Sequence, residues 1–223
     1  MNDAINAHAL EIRDLEFEHR SRDGAPFVLR MPSLAISQGE QVLLTGDSGS
    51  GKSTLLQVIA GLLTPRQGEV RVDGRPLGTL NGADLDAFRG RKIGMIFQTF
   101  NLLEGFTARE NVLMALMFGG EPASGHAQRS TELLAHLGID RPDAMPDELS
   151  IGQQQRVAVA RALATRPALV LADEPTASLD PRNARNAIQL IQDSCREQGA
   201  ALLCTSHDEQ LRSSFDRVEE LCP

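Results

Sequence analysis

The sequence predicts an α/β fold: a mostly parallel sheet covered on both faces, an antiparallel β part near the N-terminus, and an inserted helical subdomain. Three observations predict it. Short apolar runs alternate with helical patterns, the arrangement that builds a parallel sheet under helices. One of those runs, Gln41–Thr45, leads straight into a glycine-rich loop and a helix. From about residue 99 to 165 only helical patterns remain.

Taken in order, Leu10–Phe17 alternates apolar and charged residues and reads as a strand. Ser21–Pro26 is a turn, and Phe27–Met31 and Leu34–Ile36 read as two further strands. Gln38-Gly39-Glu40 turns the chain into the buried strand Gln41–Thr45. The helix from Ser53 to Ala60 is stopped by Thr64-Pro65. Glu69–Val72 is a short strand closed by the Asp73-Gly74 turn, Asp84–Arg89 a short helix, and Ile93–Phe97 an apolar strand ending at Gln98. The helical block follows. Thr107 and Glu110 form a capping box that opens a helix through Met117. Gly119–Gly125 is a loop, Ala127–Leu137 a helix, and Gly138 its C-cap. Ser150 caps a helix that runs to Ala164. The core resumes with the strand Leu169–Ala172, a helix opened by Asp180-Pro181 and closed by Gly199, and a last strand, Ala201–Thr205. The chain reads as one domain. Its core spans about 1–98 and 166–223, and its helical subdomain about 99–165.

Composition narrows the class. At 223 residues there is room for one substantial domain with a subdomain. Hydrophobic content of 41% and charged content of 23% are those of a soluble globular protein. The net charge of −8, from 30 acidic and 22 basic residues, disfavours a nucleic-acid partner. No apolar run reaches the length of a membrane span, so direct insertion is not expected. The N-terminal stretch with Asn2, Asp3 and Asn6 lacks the basic and apolar regions of a signal peptide. Cys195, Cys204 and Cys222 have no C-x-x-C spacing and read as free thiols in a reducing cytosol. His8, His126 and His136 match no motif and read as solvated.

The glycine loop is Gly46-Asp47-Ser48-Gly49-Ser50-Gly51-Lys52-Ser53-Thr54, which fits G-x-x-x-x-G-K-[ST] at every fixed position. Between a strand and a helix, its successive N–H groups converge on phosphate, and the helix N-terminus adds partial positive charge. Lys52 is placed to reach the β- and γ-phosphates, and the Ser53 hydroxyl to hold Mg²⁺. A nucleoside triphosphate with Mg²⁺ is the expected ligand. The second motif is Leu169–Pro175, in which a buried strand delivers Asp173 and Glu174 to its C-terminal end. Asp173 suits a Mg²⁺ site, which prefers oxygen ligands and keeps waters. Glu174 is placed to orient or deprotonate the attacking water. The third is Glu148–Arg156, where Ser150 and Gly152 at a helix start can form a second anion site.

With these three motifs in this order the chain resembles the ATP-binding-cassette (ABC) ATPases, a branch of the phosphate-loop NTPases. Leu149, Ser150, Gly152 and Gln153 match the family's L-S-G-G-Q signature, with Ile151 in place of its first glycine. The resemblance implies further roles. Gln98 matches the glutamine that ligates magnesium and water between core and helical subdomain. Ser178-Leu179-Asp180 matches the loop that crosses the dimer interface. His207 matches the histidine that contacts the γ-phosphate. It also implies a head-to-tail homodimer in which Ser150, Gly152 and Gln153 complete the partner's ATP site. The family commonly stacks adenine on an aromatic, often Tyr, after the first strand, and this chain has no Tyr. His19 lies 27 residues before Gly46, about where that ring belongs, and Phe17 is the alternative.

The runs Phe97–Leu102 and Val170–Pro175 look most like the stand-alone ATPases of lipoprotein-release, macrolide-export and cell-division systems. That likeness implies integral membrane permease-type partners and a place on the cytoplasmic face of the inner membrane. The apolar residues Phe100, Leu102, Leu103 and Phe106 are expected to form the docking surface. Two other classes compete. One is a soluble ABC ATPase acting on nucleic acid or an assembly scaffold, which the acidic balance disfavours. The other is a phosphate-loop kinase or GTPase, which the signature motif and the lack of an N-K-x-D motif disfavour.

Overall fold

The computed structural model describes residues 8–19, 27–120, 122–177 and 179–221. Strands β1 (His8–His19) and β2 (Phe27–Ser37) come first, and β3 (Gln41–Thr45) feeds helix α1 (Lys52–Ile59). Next come β4 (Gln67–Val72), β5 (Arg75–Pro76), α2 (Gly82–Lys92) and β6 (Ile93–Ile96). Helices α3 (Ala108–Phe118), α4 (His126–His136) and α5 (Ile151–Leu163) follow with no strand among them in the described residues. The chain returns to β7 (Leu169–Asp173), α6 (Pro181–Gln198), β8 (Ala201–Thr205) and β9 (Arg217–Glu220). An antiparallel sheet has the order β2-β1-β4-β5, and a parallel sheet the order β6-β7-β8-β3-β9.

Strands β3 and β8 are buried at all five positions, as a parallel sheet covered on both faces requires. Side-chain alternation divides each central strand between two cores. Leu43, Val170, Ala172, Leu202 and Cys204 pack with α3, α5 and α6. Val42, Leu44, Leu169, Leu171, Ala201 and Leu203 pack with α1 and the antiparallel sheet. Each fully buried leucine here contributes about 1.5–3 kcal/mol of transfer free energy. The sheet is therefore held from both sides, and the C-terminal ends of β3, β7 and β8 lie side by side.

Several local expectations are corrected. Phe27–Ser37 is one strand, because it pairs with β1 along its whole length. Pro32 is tolerated within it because β2 lies at the sheet edge. Helix α1 ends at Ile59, before Thr64-Pro65, because Gly61 takes φ +67 just past the cap. Strand β5 pairs back on β4 across the Asp73-Gly74 turn. Ala201–Thr205 is not the last strand: β9 pairs with β3 at the sheet edge. Its sequence, Arg217-Val218-Glu219-Glu220, shows no apolar alternation, as suits an edge protected by charge. His126 is buried at the start of α4 and is not a solvated residue. The Ser21–Pro26 turn, Ser178 and Cys222 lie outside the described residues.

Candidate nucleotide site

The loop after β3 is shaped by what surrounds it. A Cβ on Gly46 would lie 2.8 Å from the Leu221 carbonyl, and one on Gly51 2.6 Å from the Phe27 ring. Both positions need φ values of +151 and +99, so glycine is required on two counts at each. Lys52 is only 5% exposed. Its Nζ donates to the carbonyls of Gly46 at 2.7 Å and Asp47 at 3.0 Å, which compensates the buried ammonium. The buried Ser50 hydroxyl has no hydrogen-bond partner among the described residues. The Ser53 hydroxyl donates to Asp173 Oδ1 at 3.0 Å, joining the helix start to the end of β7.

Glu174 follows Asp173 and turns sharply out of the sheet, with φ +43. Such a backbone persists in a non-glycine residue only where the surroundings enforce it. Here the Thr205 hydroxyl accepts the Glu174 N–H at 3.0 Å, and Gln155 of α5 donates to the Pro175 carbonyl at 3.3 Å. The turn aims the Glu174 carboxylate at two cations or donors. Oε1 lies 3.9 Å from Lys52 Nζ, and Oε2 lies 2.7 Å from His207 Nδ1. A carboxylate only accepts, so Nδ1 carries the proton in this contact.

A cavity of about 760 Å³ opens over this cluster. Ser48, Gly49, Lys52, Ser53, Thr54 and Glu174 line it, as does Gln98, in the turn just past β6. Phe17, His19 and Phe27 stand at one end. His19 is exposed and directly opposite Phe27 in the β1–β2 register, whereas Phe17 is buried. Phe27 was missed as a site residue by the sequence reading, which took it only as a strand start. Its signal is its place first after the turn that the sequence predicts at Ser21–Pro26.

Ser150, Gly152 and Gln153 do not line this cavity. They form the open end of α5, where Ser150 Oγ accepts the Gln153 N–H and the Gln153 side chain accepts the Ser150 N–H. Among the described residues nothing lies within 4 Å of a Cβ built on Gly152, so the helix start is open there. Ile151 is 58% exposed and leaves the capping box intact.

The segment after Gln98 departs from expectation. Phe100 is buried and cannot form a docking surface, and Leu102 is partly buried against the core. Leu103 and Phe106 remain 42% and 37% exposed. The segment is braced from beneath: the buried Asn111 bonds the backbone of Leu103, Phe106 and Thr107, and Arg161 donates to the Phe100 and Asn101 carbonyls.

Among the described residues no three His, Cys, Asp or Glu side chains gather into a metal cage. The pair Ser53 and Asp173 offers only oxygen ligands, which fits a cation held mainly by phosphates and water, as Mg²⁺ is.

The ABC transporter family model matches residues 29–177. Two solved structures are similar to this chain. One is described as a dimeric post-hydrolysis state of the ATP-binding cassette MJ0796 bound to ADP and Pi. It is 34% identical, with a TM-score of 0.82, covering 95% of this chain and 94% of that one. The other, a dimeric structure of MJ0796 described as a bacterial ABC transporter cassette, is 33% identical with a TM-score of 0.82, at the same coverage.

Proposed function

The chain belongs to the ABC transporter family and is an ATP hydrolase, and we propose that it is the ATP-binding subunit that powers an integral membrane partner by closing a head-to-tail homodimer. The observation that carries this reading is the chain of contacts that joins Lys52 to Glu174, Glu174 to His207 and Ser53 to Asp173, with Lys52, Ser53 and Glu174 lining the cavity. Residues 46–54 bind the triphosphate, and Lys52 exchanges its loop carbonyls for β- and γ-oxygens. Ser53, Asp173 and Gln98 are the residues that would hold Mg²⁺, which neutralises phosphate charge when bound. Glu174 takes the proton of the attacking water, and His207 holds the Glu174 carboxylate in place. His19 stacks on adenine. Ser150, Gly152 and Gln153, turned away from their own cavity, complete the site of a second copy.

The membrane partner docks at the exposed Leu103 and Phe106, on the segment that leaves Gln98 for the helical subdomain, residues 99–165. No helix among the described residues is long and apolar enough to cross a membrane, so force must leave through a protein contact. A partner of the lipoprotein-release or cell-division type fits this reading, with the chain on the cytoplasmic face of the membrane. Leu103→Glu and Phe106→Glu should abolish co-purification with the membrane subunits and leave the melting temperature and ATP binding unchanged. Retained co-purification by both variants would contradict the docking site.

A further inference from the structure

We infer that Thr205 is a positioning residue for hydrolysis: its hydroxyl fixes the Asp173–Glu174 pair in the geometry the reaction needs. The inference rests on the reading of Asp173 and Glu174 given above. Thr205 ends β8 and is fully buried, beyond the apolar run Ala201-Leu202-Leu203-Cys204. A buried hydroxyl is tolerated when both its proton and its lone pairs are used. Thr205 Oγ1 accepts the Glu174 N–H at 3.0 Å and stands 3.0 Å from Asp173 Oδ1, to which it donates. The Ala172 carbonyl, at 3.4 Å, is the more distant acceptor.

The register explains how one side chain serves both neighbours. Asp173 pairs with Thr205 across the β7–β8 ladder, so both side chains leave the sheet on the same face. At the next residue the backbone turns to φ +43 and leaves the sheet. Its N–H then bonds to the Thr205 hydroxyl in place of a ladder carbonyl, and an orphaned buried donor would be costly. The Ser206 N–H is already used by the Leu44 carbonyl on the other side. Asp173 Oδ1 receives two donors, Ser53 and Thr205, and Oδ2 receives none among the described residues. The Thr205 hydroxyl thus sets the rotation of the Asp173 carboxylate and holds the peptide plane from which Glu174 is aimed.

Thr205→Val keeps the shape and removes the hydroxyl. Thr205→Ser keeps the hydroxyl and removes the methyl. The experiment measures ATP turnover, binding of a fluorescent ATP analogue with and without Mg²⁺, and melting temperature, for both variants, wild type and Glu174→Gln. Outer-shell partners of this kind are worth about 10–100-fold. Thr205→Val should lose that much in kcat and bind nucleotide about as wild type without Mg²⁺, while losing the tightening that Mg²⁺ confers. Thr205→Ser should stay within about two-fold of wild type throughout. If Thr205→Val does not fold, Thr205→Ser against Thr205→Ala isolates the same hydroxyl. Wild-type turnover in the Val variant, equal loss in the Ser and Val variants, or equal weakening with and without Mg²⁺ would each overturn the inference. Full turnover by Glu174→Gln would instead break the assignment of Glu174 itself.

Discussion

At the scale of single residues, placement of charge governs the site. Lys52 spends its donors on two carbonyls of its own loop, and Glu174 leans on His207. On the proposed reading, bound triphosphate would replace those carbonyls as the partner of the ammonium. Lys52→Ala should therefore lose nucleotide binding or turnover. Glu174→Gln should still bind ATP, and its turnover should fall by at least the 10²–10⁴-fold that a general base supplies. Paired binding and single-turnover assays separate the two effects. The thiols make a different prediction. Burial pushes Cys195 up to about 12, and Cys204 higher still, so neither is a thiolate near neutral pH. A thiol reagent at pH 8 should leave both unmodified in the native protein and modify both after denaturation. Which residues touch was harder to read than which residues react. Lys52 and Asp173 stand in motifs whose chemistry is local to the sequence. Phe27 and Thr205 enter the site only through strand register, with His19 in one case and Asp173 in the other, and no short pattern encodes register.

At the scale of elements, caps and braces hold the parts that must face ligands. Thr107 with Glu110 and Ser150 with Gln153 form the capping boxes of α3 and α5, as their spacing in the sequence foretells. Asp180 caps α6 by accepting the N–H groups of Arg182 and Asn183. The bond from the Asn183 N–H, with that from its side chain, holds the Asp180 carboxyl below its usual value. A depressed folded-state value contributes stability above the unfolded value of about 3.9, which is lost as pH falls through the folded one. The melting temperature of Asp180→Ala should therefore lie below wild type at pH 7, and the gap should close below about pH 4. A gap that persists at pH 2 would show that the cap acts by other means. Asn111 is the corresponding brace under the segment after Gln98. Asn111→Ala removes all of its bonds to Leu103, Phe106 and Thr107 and should cost about 2 kcal/mol, or roughly 4–8 °C in melting temperature. That brace was hidden in the sequence, since an asparagine inside a helix does not announce that it will bond the backbone of the segment before its own helix. The two strands with least apolar pattern, β5 and β9, were hidden for the same reason: their pairing depends on β4 and β3.

At the scale of the whole molecule, the parallel sheet gathers three loops at one edge, while the signature helix start of α5 opens elsewhere. Asp173 and Thr205 are paired directly, and the loop after β3 stands beside them. Ser150–Gln153 forms a capped helix start that lies outside the cavity and, among the described residues, leaves the space beside Gly152 open. A second copy, turned head to tail, would bring that start over the phosphates bound at Lys52. On the proposed reading ATP would act as the adhesive between protomers, and hydrolysis at Glu174 would release them. Sedimentation velocity of the Glu174→Gln protein, with and without ATP, tests this most directly. The account predicts a dimer with ATP, a monomer without it, and a monomer in both conditions once Ser150→Arg is added. A dimer indifferent to ATP, or one that survives Ser150→Arg, would contradict it.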